Sequence, residues 1–109
     1  MRNLGLSVIV LASLLYATAG ARADEYVLTL KDHQFSPKEL TIPAGQKVKI
    51  TVKNLDATPA EFESSDLNRE KVVAAKGEIT VYVGPVDAGT YAYFDDFHHD
   101  TTTGRLIAK

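Results

Sequence analysis

The sequence predicts an all-β domain, a two-sheet sandwich of seven to eight strands, and three observations carry that expectation. Apolar residues recur at period two in short runs, the pattern of strands with one face buried. Turn chemistry rich in Pro, Gly, Asn and Asp separates these runs at the close spacing of a sandwich. From Glu25 onward, no stretch keeps a helical period beyond about two turns.

The first expected strand is Tyr26 to Lys31, with Tyr26, Leu28 and Leu30 on an apolar face and Val27, Thr29 and Lys31 opposite. His33 to Pro37 breaks it, and Glu39 to Ile42 resumes extended structure before the Pro43-Ala44-Gly45 turn. Gln46 to Asn54 alternates clearly, with Val48, Ile50 and Val52 inward and the lysines solvated. A loop to Pro59 leads into the short strand Ala60 to Glu63, anchored by Phe62. Ser64 to Lys71 holds a single helical turn, with Ser65 or Asp66 as N-cap. Val72 to Ala75 and Ile79 to Val83 are strands around Lys76-Gly77. Gly89 opens a strand that runs to Asp95, and Gly104 to Ala108 closes the domain.

Residues 1–23 are expected to be an export signal and not part of the fold. Arg2 gives a positive start, Leu4 to Ala19 is almost wholly apolar, and Ala21-Arg22-Ala23 has the small-x-small form of a cleavage site. The apolar run is shorter than the ~20 residues of a spanning helix, so a retained anchor is the weaker expectation. The domain is then 24–109, in the periplasm.

The chain of 109 residues has no cysteine, and its one methionine is Met1. Disulfides and thiolate chemistry are thereby excluded, and the processed domain has no sulfur ligand at all. Without Arg2 and Arg22 the 12 basic residues fall to 10 against 14 acidic ones, a formal −4. Such a surface, with its lysines dispersed, argues against nucleic acid and toward cations or basic partners. No Gly-x-Ser-x-Gly elbow, P-loop or dinucleotide fingerprint is present, so nothing marks a hydrolase or transferase. Whether the protein is an enzyme is left open, any catalysis being one-electron oxidation of a bound metal.

Chemistry concentrates at the end of the Gly89 strand, in Tyr91-Ala-Tyr93-Phe-Asp95-Asp96-Phe-His98-His99-Asp100. Period two places Asp95 on the same buried face as Tyr91 and Tyr93. An unpartnered buried carboxylate costs several kcal/mol, so a cation or a dense set of donors is expected around it.

Phe35-x-Pro37, Pro43-Ala-Gly45 with its Val-x-Ile strand, the Asn54 loop leading to Ala60-x-Phe62, and Tyr91-x-Tyr93-x-Asp95 followed by Gly104-x-Leu106 together resemble the cupredoxins. The resemblance spans nearly all of 24–109 and implies a Greek-key cupredoxin-like sandwich. In blue-copper members a histidine stands at Ala60, a cysteine at Asp95, and a histidine and usually a methionine in the next loop. Composition excludes that blue centre here. Carboxylate and imidazole form a harder set, suited to iron, Cu(II), Mn or Zn. Ala60-Glu61-Phe62-Glu63 and the Tyr-x-Tyr-Phe-Asp-Asp-Phe-His run look like the periplasmic cupredoxin-like component of bacterial ferrous-iron uptake systems. They are more distantly similar to the N-terminal domain of EfeO. That resemblance implies one iron or copper ion, with a periplasmic iron-binding protein and a membrane iron permease as partners.

The expected ligands are Asp95, selected by parity and family position, and His98, with Glu61, Glu63, Asp96 and His99 as further candidates. Adjacent residues usually point apart, so His98 and His99 are not both expected at the ion. Parity turns Glu61 and Glu63 outward unless the strand bulges. His33 is expected to be a surface or capping histidine, with the alternative that it faces the same end as the ligand loop, Asp100 to be solvated, and Tyr91 and Tyr93 to be core. Two alternatives stand beside the iron reading: a copper carrier or redox protein with a non-blue Cu(II) site, and a metal-free domain that docks a partner through its acidic loop.

Overall fold

The computed structural model describes residues 24–109, so the export signal expected over 1–23 lies outside the described residues. Nine strands follow one another: β1 (Asp24–Lys31), β2 (Gln34–Ser36), β3 (Glu39–Ile42), β4 (Val48–Asn54), β5 (Ala60–Ser64), β6 (Arg69–Val73), β7 (Glu78–Val83), β8 (Gly89–Asp95) and β9 (Thr103–Ala108). A 3₁₀ turn, Asp96–His98, sits between the last two. One sheet has the order β2-β1-β4-β7 and the other β3-β9-β8-β5-β6. β1 runs parallel to β4 and β3 parallel to β9, while the other pairs are antiparallel. The all-β sandwich is as the period-two pattern predicts.

The inward residues are those the alternation selects. Leu28 and Leu30 of β1, Val48, Ile50 and Val52 of β4, and Val81 and Val83 of β7 face Leu40, Ile42, Phe62, Tyr93 and Leu106 of the other sheet. Phe35, Phe62 and Tyr93 meet at one end of this core, with ring centroids 5.1 to 6.4 Å apart. Tyr93 lies across Gly104, its register partner on β9, and a Cβ at 104 would collide with the ring. A glycine is needed there because only its bare backbone lets the aromatic ring pass.

Two local expectations are corrected. Residues 34–36 do not merely break β1; they fold back on it, pairing Leu30 with Phe35. The reversal is made by Asp32 and His33, both left-handed at φ 51° and 58°. This is the two-residue hairpin geometry usually signalled by Asn-Gly or Asp-Gly, so Asp-His gives little warning of it. The helical turn expected over Ser64 to Lys71 is instead a tight turn closed by Asn68 at φ 56°, followed by β6. One isolated helical turn nucleates poorly, whereas pairing with β5 satisfies the backbone along all of Arg69–Val73.

Candidate metal centre

β8 delivers Asp95 to the end of the core opposite Phe62 of β5. Its side chain is 1% exposed, and the sequence-based expectation of a dense donor set is met by the protein itself. Oδ1 accepts the amide of Glu61 at 2.9 Å and that of Phe97 at 3.0 Å, the latter capping the 3₁₀ turn. Oδ2 lies 2.9 Å from Nδ1 of His98. A carboxylate only accepts, so Nδ1 holds the proton of that bond, and an ion held by Asp95 and His98 together would take that proton's place between Oδ2 and Nδ1. The turn thus swings His98 back over Asp95, while the half-exposed Phe97 points to solvent.

The third member comes from the β1–β2 hairpin. The His33 ring packs on that of His98, with centroids 4.2 Å apart and planes tilted by 38°. Its backbone is held from two sides. Asp56 accepts the amides of Asp32 and His33 at 2.6 and 2.9 Å, and Thr102 Oγ1 donates to the His33 carbonyl at 2.7 Å. Asp56 is itself placed by buried Asn54, whose Oδ1 accepts its amide and whose Nδ2 donates to Thr58 and Ala74 carbonyls. Burial pushes the Asp56 carboxyl up, but the His33 and Asp32 amides, with His33 and Lys76 nearby, outweigh it and leave it below the usual range. His33, Asp95 and His98 thus present ligand atoms within 4.8 Å of one another.

The other candidates fall elsewhere. His99 turns away, its Nε2 3.1 Å from Asp100, and both side chains are well exposed. β5 has no bulge, so Glu61 and Glu63 occupy the outer face of the five-stranded sheet, as parity expects, with Ala60 and Phe62 buried. There they form a second group with Glu70 of β6, ligand atoms again within 4.8 Å, and Asp96 stands beside Glu61 at its border. Partial burial against the sheet, then the charges of Glu70 and Asp96, raise the carboxyls of Glu61 and Glu63. Beneath Asp95, burial also raises the Tyr93 phenol, whose hydroxyl has no partner among the described residues. Tyr93 is therefore core.

His33 is the residue that the sequence places at the surface and the structure brings to the centre. No local signal marks it, because His33 lies in the left-handed turn before β2, where strand parity does not reach. Glu70 likewise joins Glu61 and Glu63 only through the pairing Glu63↔Glu70. The donor chemistry of the two groups differs. Two imidazoles with one carboxylate suit a first-row transition ion, and three carboxylates suit a hard cation. Neither offers sulfur, so neither fits a blue-copper ion.

Solved structures of the same architecture include auracyanin A, a blue copper protein of Chloroflexus aurantiacus (TM-score 0.69, 18% identity, 81% of this chain and 100% of that one). Amicyanin from Paracoccus versutus is similar at TM-score 0.63 and 20% identity, over 84% of this chain and 87% of that one. At such identities the likeness is one of fold. In sequence, the chain is 41% identical over 85 residues to Uncharacterized protein RP394 of Rickettsia prowazekii (strain Madrid E), spanning 78% of this chain and 68% of that one. Residues 4–108 match the family described as a cupredoxin-like domain, and the chain belongs to that family.

Proposed function

We propose that this protein is an exported, periplasmic metal-binding cupredoxin of a high-affinity iron uptake system, with His33, Asp95 and His98 as the residues that hold the ion. The observation that carries the reading is the donor set itself. Two histidines and one carboxylate from two segments, the β1–β2 hairpin and the end of β8 with its turn, are brought together at the end of a rigid sandwich. This is the combination that holds non-haem Fe(II) with positions left open, and a bound iron would supply one-electron chemistry between its ferrous and ferric states. Asp95 also orients the His98 ring, its Oδ2 2.9 Å from Nδ1, so that one ion can meet both atoms. Its partners in this reading are a periplasmic iron-binding protein, a membrane iron permease and, for any oxidation of Fe(II), an acceptor that takes the electron. The carboxylates of Glu61, Glu63 and Asp96, and the exposed His99, lie outside this set.

Cu(II) is the second reading, because imidazole-rich sites hold it tightly and the fold is that of copper proteins. Affinity alone does not separate the two, since Cu(II) outranks Fe(II) at almost any nitrogen and oxygen site. The test is anaerobic titration with Fe(II), then Fe(III), Cu(II) and Zn(II), on the native protein and on His33→Ala and His98→Ala. We expect each substitution to weaken Fe(II) binding by at least about tenfold, roughly 1.4 kcal/mol. Unchanged affinity of both variants for every metal would leave a metal-free docking domain as the surviving reading.

A further inference from the structure

The five-stranded sheet turns its outer face to solvent, and that face is divided by charge. β8 is the middle strand, with β9 and β3 on one side and β5 and β6 on the other. Along the β3–β9 side, Lys38 and Arg105, with Glu39 as the one carboxylate among them, border a groove of about 510 Å³ floored by Ala92 and Phe94. Along the β5–β6 side stand Glu63 and Glu70, in register with Phe94. Arg105 already pairs with Glu39, but such an exposed pair contributes little, and a guanidinium has five donors to share.

From this arrangement we infer that the outer face of the five-stranded sheet docks a second copy of this chain, about a two-fold axis along β8. That axis exchanges β9 with β5 and β3 with β6, because each pair is equally distant from β8. Arg105 then faces the partner's Glu63, Lys38 faces the partner's Glu70, and Ala92 and Phe94 meet their own copies near the axis. Arg105 is level with Ala92, and Glu63 with Phe94. The offset is two residues, ~7 Å along the strand, within reach of an arginine. An isologous contact of this kind needs a self-complementary patch, and the opposite charges on the two halves supply one. The Glu63 carboxyl, raised first by partial burial and then by the charges of Asp96 and Glu70, has its like-charge crowding relieved by an incoming cation. Five strands at ~4.8 Å spacing make a face only ~20 Å wide, so the buried area falls below that of a standard stable interface. The association is accordingly weak and sensitive to salt. It does not depend on the metal reading, since His33, Asp95 and His98 are outside the contact.

Sedimentation equilibrium from micromolar to millimolar protein tests it, in low and high salt and with a chelator present throughout. We expect a monomer–dimer equilibrium in low salt that high salt dissolves. Arg105→Glu and Glu63→Lys should each be monomeric, because each sets like charges opposite one another twice. Their equimolar mixture should dimerise again, since both cross-contacts are then between opposite charges. Ala92→Arg, at an exposed position on the axis, should also abolish the dimer while leaving the circular dichroism unchanged. A native protein monomeric at millimolar concentration, single variants that still dimerise, or a mixture that stays monomeric would each overturn the inference. A dimer seen only when the chelator is replaced by a divalent cation would assign this face to a metal bridge instead.

Discussion

Asp95 serves the fold and the site with different oxygens. Oδ1 holds two amides that no other described group satisfies, and Oδ2 orients His98. Asp95→Ala should therefore destabilise the domain by ~1–3 kcal/mol in urea unfolding, by orphaning two partly buried donors. Asp95→Asn, which keeps an acceptor, should cost less stability, yet both should weaken metal binding more than Glu63→Ala does. The opposite order of metal affinities would move the centre to the outer carboxylates. Asp56 gives a prediction in pH. Its carboxyl titrates lower in the folded state than its ordinary 3.8, so its stabilisation is complete above that value. It is lost as pH falls through the folded pKa. The urea midpoint should drop over that acid limb, and Asp56→Asn should flatten the drop. Parity made Asp95 legible in the sequence, whereas His33 was not, because its neighbours in space are 23 and 65 residues away in the chain.

At the scale of elements, the β8–β9 pair is the one on which the centre is built. Tyr93 over Gly104 locks its register, and Asp95 leaves the sheet two residues later. Gly104→Ala should destabilise by about 1–3 kcal/mol, through overpacking against a ring that Phe35 and Phe62 prevent from moving. Thermal unfolding would show this, and an unchanged melting temperature would mean that Tyr93 has another rotamer available. On β5, the raised carboxyl of Glu63 has the opposite sign from Asp56. It favours the folded state below the ordinary 4.5, and that advantage is lost as pH rises through the folded pKa. Glu63→Gln should accordingly raise the melting temperature at neutral pH and leave it nearly unchanged near pH 4. The strands themselves were readable from alternation. The Asp32-His33 hairpin and the first half of β6, ahead of the expected Val72, were not, because left-handed turns without glycine and edge strands without alternation leave little local trace.

For the molecule as a whole, the cupredoxin sandwich is retained without the sulfur on which its blue copper sites depend. With no cysteine anywhere in the chain, Cu(II) added to the protein should give only a weak d–d absorption and none of the intense blue charge-transfer band. An intense band near the blue-copper position would refute the ligand set of imidazole and carboxylate. The scaffold tolerates such an exchange because the core, to which every strand gives inward aliphatic or aromatic residues, is complete beneath the segments that carry the donors.

Period-two alternation, turn residues and the absence of sulfur determined by themselves that this is an all-β sandwich, that Asp95 is buried, and that no blue-copper centre can form. These are local or compositional properties, and a strand buries every second residue wherever it lies. Only the tertiary structure decided which donors meet. The β1–β2 hairpin is distant in sequence from the end of β8, and sheet packing brings His33 onto His98 above Asp95 while leaving Glu61, Glu63 and Glu70 on the other side of the sheet.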